Sequence, residues 1–300
     1  MRALLPLVAL AMSSGLAAQT PAEPTAPSAG AEQGSVDIVV NGTREEVRHY
    51  LGDLLQQSGG QLSRIEDGFC PKVIGYDPEY QAIIENLIRK QASDLGVTVL
   101  EPGCTTNALV VFTHQPQKLL EYLRDRAPNA FGRIPVAERK RLSNTVRGSY
   151  AWHATTPVAR DGGGDGVPLS ALTSSPAAKM FEGVPTFRSP FNSRLFTQAT
   201  YSIRGAHLIL DSGRTPGMTL GQIAAFATVN LLVDLDVDAV ERAREDSILR
   251  LFEADDPSAV AKDLGAFESS MIATIYSQED LAKPASQMRM RIAKEMSDED

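Results

Sequence analysis

Between Leu195 and Asp236 the chain reads LFTQATYSIRGAHLILDSGRTPGMTLGQIAAFATVNLLVDLD, and this stretch limits the fold more than any other. Tyr201 to Leu210 reads as a strand, and Ser212-Gly213 with Pro216-Gly217 turns the chain. Thr219 and Gln222 have the spacing of a capping box, and the helix they open carries Leu220, Ile223, Ala224, Ala225, Phe226, Ala227, Val229, Leu231 and Leu232. A helix that is apolar nearly all round must be covered on every side. It is expected to be the long, central, buried helix of the fold.

The elements that could cover it follow in chain order. Gln19 to Gly34 holds no large apolar residue, which predicts a disordered tether at 19–34. Ser35 to Gly42 alternates Val36, Ile38 and Val40 and ends in Asn-Gly, a strand with a turn. Thr43 with Glu46 opens a helix to Gln57, Gln61 to Gly75 is strand-like, and Asp77-Pro78 opens a helix to Leu95. Thr105 to His114, with its apolar run from Ala108 to Phe112, reads as a strand buried on both faces. Pro116 opens a helix to Arg126, Val136 to Leu142 forms a short charged one, and Ser149 to Thr156 alternates as a strand. Short helical pieces are expected at Ser247 to Phe252 and Leu264 to Tyr276, then a charged, loosely held tail at 286–300. The order predicts an α/β fold, a mixed sheet packed with helices in one domain over 35–285. A Gly- and Pro-rich insertion at 160–194 interrupts it.

Residues 1–18 have the parts of a secretory signal: Arg2, an apolar run from Ala3 to Met12, and small residues from Ser13 to Ala18. The apolar run is too short for a spanning helix, which needs roughly 20 residues. Export to the periplasm or beyond is therefore expected, with no membrane insertion of the mature chain. In an oxidising compartment Cys70 and Cys104, the only cysteines, are expected to pair with each other. A two-cysteine metal site would need further ligands at close spacing, and none are near. The net charge of -8, with no cluster of Lys or Arg, argues against nucleic acid as a partner.

The candidate sites are few. The only histidines are His49, His114, His153 and His207, none spaced as the pair of a His-Glu-x-x-His helix. Asp234, Asp236, Asp238 and Glu245 imitate positions 1, 3, 5 and 12 of a calcium loop, but Ala239 stands where that loop needs Gly. The run Asp161 to Gly166 is a single acidic glycine repeat without further copies. Gly213, Gly217 and Gly221 precede a helix start, yet no Lys-Ser/Thr follows, so turn chemistry accounts for them. On a strand, His207 and Asp211 share one face and could form an oriented pair. No Gly-x-Ser-x-Gly or Ser-x-x-Lys motif occurs, and no cofactor or metal is expected.

The order of helix Pro78 to Leu95, strand Thr105 to His114, insertion, strand Tyr201 to Leu210 and buried helix Leu220 to Asp234 resembles the upper half of a zincin-type metallopeptidase. The pieces TLGQIAAFATVNLLVDLD, SILRLF and the helix ending in Ile275-Tyr276 are similar to a group of secreted proteobacterial proteins associated with that scaffold. Where active relatives hold zinc ligands, this helix has Gly221, Gln222, Ile223, Ala224 and Ala225. The resemblance thus implies a zincin-like fold and a peptide groove beside an edge strand, without the chemistry. The expected function is non-catalytic binding of a peptide or protein by strand addition, with Tyr201 to Leu210 as the strand to inspect for a cleft. The alternatives are a hydrolase built on His153, His207 and Asp211, and a purely structural envelope protein.

Overall fold

A computed structural model describes residues 43–132, 134–159, 167–168, 185–186, 199–245, 247–278 and 282–298. The expected leader, tether and Ser35 to Gly42 strand, the Asp161 to Gly166 run and most of the insertion lie outside them. Thr43 caps helix α1 (Arg44–Leu54): its hydroxyl accepts from the Glu46 amide while the Glu46 carboxylate accepts from the Thr43 amide. Helix α2 (Pro78–Asp94) starts on Asp77, whose carboxylate accepts from the Glu79 amide at 3.0 Å. Within Gln61 to Gly75 only β1 (Pro71–Ile74) is a strand, and Arg64 and Phe69 make single bridges. Helices α3 (Pro116–Arg126) and α4 (Val136–Asn144) follow β2 (Ala108–Thr113).

Strand β3 (Ser149–Ala159) comes next, then the two-residue pair β4 (Val167–Pro168) and β5 (Pro185–Thr186), then β6 (Ala199–Asp211). The main sheet has the order β1-β2-β6-β3, with β1, β2 and β6 parallel and β3 antiparallel to β6. β6 is therefore interior along Ala206 to Asp211, where β2 and β3 flank it, while Ala199 to Gly205 has β3 on one side and a single bridge from Arg64 on the other; the marginal strands are β1 and β3. The composition agrees: β6 carries Ile203, Leu208, Ile209 and Leu210, while β3 carries Ser149, His153, Thr155, Thr156 and Pro157, and proline is tolerated at an edge. Among the described residues no strand pairs with the outer side of β3. Its register with β6 breaks between Ala154 and Thr155, a bulge of the kind that bends a strand.

Helix α5 (Leu220–Leu232) lies on one face of this sheet and is buried from Gln222 to Leu232. Its polar side chains are satisfied. Thr228 lies 2.8 Å from Ala224 O, Asn230 donates to Phe226 O, and the Gln222 amide donates to Pro257 O and Ala261 O. The other face carries a smaller cluster of Leu120, Phe131, Leu142, Tyr150, Trp152 and Ile209. That layer covers β2 only in part. Ala108, Val110 and Phe112 are buried while Leu109, Val111 and Thr113 are half-exposed, so the expected burial on both faces does not hold.

After α6 (Ala239–Arg242) and α7 (Ala266–Tyr276), the charged tail forms α8 (Ala285–Asp298) and is not loose. Met288, Ile292 and Ala293 make a buried stripe against α1 and α7, and Arg44 donates to Ser297 Oγ at 3.2 Å. Cys70 and Cys104 form a disulfide with Cα atoms 6.1 Å apart. No helix among the described residues is long and apolar enough to cross a membrane.

Candidate functional site

Helix α5 runs back along β6, so its C-terminal end returns to the start of that strand, beside the bulged part of β3. A cavity of about 260 Å³ opens there. Its walls come from Gln56 to Gly59 after α1, Ile134, Pro135 and Glu138 at α4, Trp152, His153 and Thr155 on β3, Tyr201 on β6, and Asp234, Leu235 and Val237 after α5. Gln57, Gly59 and Pro135 are exposed and form its mouth.

His153 and Asp234 meet at its base. Both are buried, at 4% and 8% exposure, so their partners decide what they can do. His153 Nε2 lies 3.3 Å from Leu231 O, and a carbonyl only accepts, so Nε2 carries hydrogen. Nδ1 lies 3.3 Å from Asp234 Oδ1 but off the line that a hydrogen bond needs, and it has no hydrogen-bond partner. In the neutral ring, then, a lone pair faces a carboxylate. A proton on Nδ1 would pair the two charges, and a donor from elsewhere would supply the missing hydrogen bonds.

Glu138 supplies a second carboxylate. Its pKa is raised, first by burial and then by Asp236 and Asp234, against the lowering effects of Arg141 and of the Gln56 amide 3.5 Å away. Three neighbouring arginines are engaged with other carboxylates. Arg141 Nη1 and Arg147 Nη2 hold Asp238 at 2.8 and 2.7 Å, and Arg242 Nη2 holds Asp236 at 2.7 Å. Among the described residues no lysine or arginine lines the cavity. Trp152 donates to Ala130 O and stacks with Phe131 and His207 at ring distances of 5.1 and 5.0 Å. The Tyr201 ring lies against Gly59, whose φ of 59° and lack of a side chain leave room for it.

The suspects named from sequence are not brought into one constellation. His153 faces α5, whereas His207 stacks on Trp152 on the opposite face, where burial first and then the His153 charge push its pKa down to about 4. Asp211 accepts from the Gly213 amide at 2.8 Å, and four residues of strand put it about 13 Å from His207, so the expected His207–Asp211 pair does not form. The calcium-loop imitation divides in the same way: Asp236 and Asp238 go to arginines, and Asp234 turns to His153. Among the described residues no three His, Cys, Asp or Glu side chains could hold a metal. Where a zincin helix would carry ligands, Gln222 instead holds the 257–261 loop, and the cavity lies at the other end of α5. Sequence reasoning missed Glu138, and it placed Asp234 at an acidic helix terminus without giving it His153 as a neighbour. The available signal was an ionisable residue directly after Leu231-Leu232-Val233, since a carboxylate at the end of a buried helix needs a partner.

A wider hollow of about 800 Å³ lies between α7 and α8, where Glu295 is already tied to Arg291 at 2.9 Å and to Thr274 at 2.7 Å. No family description, curated protein or solved structure matches this chain.

Proposed function

We propose that this protein is an exported, non-catalytic binder of extended peptide segments, which add to the outer side of β3 and reach the cavity beside it. The observation that carries this reading is an antiparallel marginal strand whose outer side pairs with no other strand among the described residues, bulged where it borders the cavity. Backbone groups of an edge strand provide affinity for an extended chain, and an adjoining pocket provides selectivity. Two further features support it. His153 Nε2 is committed to Leu231 O, and among the described residues no hydroxyl or thiol is hydrogen-bonded to Nδ1, so no nucleophile–base pair is formed there. The disulfide suits an oxidising compartment.

Amide hydrogen exchange across Ser149 to Ala159 tests the reading, measured with and without a pool of capped five-residue peptides of alternating valine. Slowed exchange of the outward β3 amides is expected. Unchanged exchange along β3 at saturating peptide would overturn it.

A further inference from the structure

We infer that the cavity seats a basic side chain, a lysine ammonium or an arginine guanidinium, from a peptide lying along β3, with Glu138 and Asp234 as its acceptors. The inference rests on the reading of β3 as a peptide site and adds the chemistry of one position of that peptide. Charge is the first ground. With His153 neutral, the cavity holds two carboxylates; with His153 protonated, His153 and Asp234 cancel and Glu138 remains. In either state the described lining residues are net negative, and Arg141, Arg147 and Arg242 are spent on Asp236, Asp238 and Glu241.

Hydrogen bonding is the second, independent ground. His153 Nδ1 is buried, lines the cavity and lacks a hydrogen-bond partner, while Asp234 Oδ1 faces it at 3.3 Å. Adding the carboxylate of Glu138 makes a set of acceptors with too few donors, which a group with several N–H bonds would fill. A metal ion is a poor fit, since no three suitable ligands converge among the described residues.

Size is the third. A volume of about 260 Å³ is below the roughly 300–1,000 Å³ of sites that enclose a drug-sized ligand, and it suits one long side chain. The mouth at Gln57, Gly59 and Pro135 is open, and the Tyr201 ring offers an apolar wall for the aliphatic stem. The main chain of the peptide would stay outside, on β3.

Calorimetric titration of the full chain with Ac-Ala-Val-Lys-Val-Ala-NH2 and with its norleucine counterpart tests this, with cadaverine as a third titrant. The lysine peptide is expected to bind about ten-fold tighter or more than the norleucine peptide, the scale of a hydrogen bond to a charged group. Glu138→Gln, which keeps the shape of a partly exposed side chain, should reduce that preference several-fold while thermal unfolding stays unchanged. Equal binding of the two peptides would overturn the basic-side-chain seat and leave the peptide reading standing. Binding of neither peptide would remove both. Cadaverine binding as tightly as the lysine peptide would overturn the assignment of the cation to a peptide.

Discussion

At the scale of single residues, two histidines a position apart across one strand pair stand on opposite faces of the sheet. His207 is held neutral near pH 7 because burial and the His153 charge lower its pKa from 6.5 to about 4. A depressed pKa contributes stability that is complete above the unfolded value and lost as pH falls toward the folded one. Stability should therefore decline between pH 6.5 and 4 by at most about 3 kcal/mol from this group. His207→Phe keeps the ring stack on Trp152, and urea unfolding at pH 7 and pH 4 should show a smaller loss on acidification than the parent chain. An equal loss in both would remove His207 as a cause. The position of His207 on a strand was readable from the sequence, but its ring partner was not, because Trp152 becomes its neighbour only through the β3–β6 register. The same holds for His153, whose partner Asp234 lies far along the chain, at the far end of α5.

Elements were far more legible than contacts between them. Both capping boxes, at Thr43 and Thr219, form as their spacing requires, because the groups that satisfy each other are three residues apart. Thr219→Ala should cost about 1 kcal/mol in denaturant unfolding, since an orphan amide at the start of α5 loses its acceptor. Gln222→Leu should cost more, because it removes the return arm of the box and leaves Pro257 O and Ala261 O without their donor. Strand position within the sheet was not legible in the same way. Apolar content marks Tyr201 to Leu210 as a strand but cannot say whether one or two neighbours flank it. The decisive fact was the antiparallel return of β3, a choice made by packing over long separations. Likewise the composition of α8 hides a three-residue apolar stripe within a charged segment, and only the presence of α1 and α7 beside it gives that stripe something to cover.

For the whole molecule, the α/β class and the central place of α5 follow from patterning, while the cavity exists only where five chain segments distant in sequence converge. The disulfide closes a loop 34 residues long around β1 and α2. Replacing both Cys70 and Cys104 by alanine should lower unfolding free energy by roughly 3 to 4 kcal/mol on the chain-entropy account, with the midpoint of denaturant unfolding as the measure. An unchanged midpoint would mean that the loop is already restrained in the unfolded chain. The clasp between α1 and α8 has a mechanical side. Because the first and last helices of the described chain grip each other, with Arg44 reaching Ser297, a machine that unfolds proteins by pulling from the carboxyl end must shear this pair before it meets the sheet. Resistance to such processive degradation would then be set at the seam between the ends, leaving β3 and its cavity intact until the seam gives way.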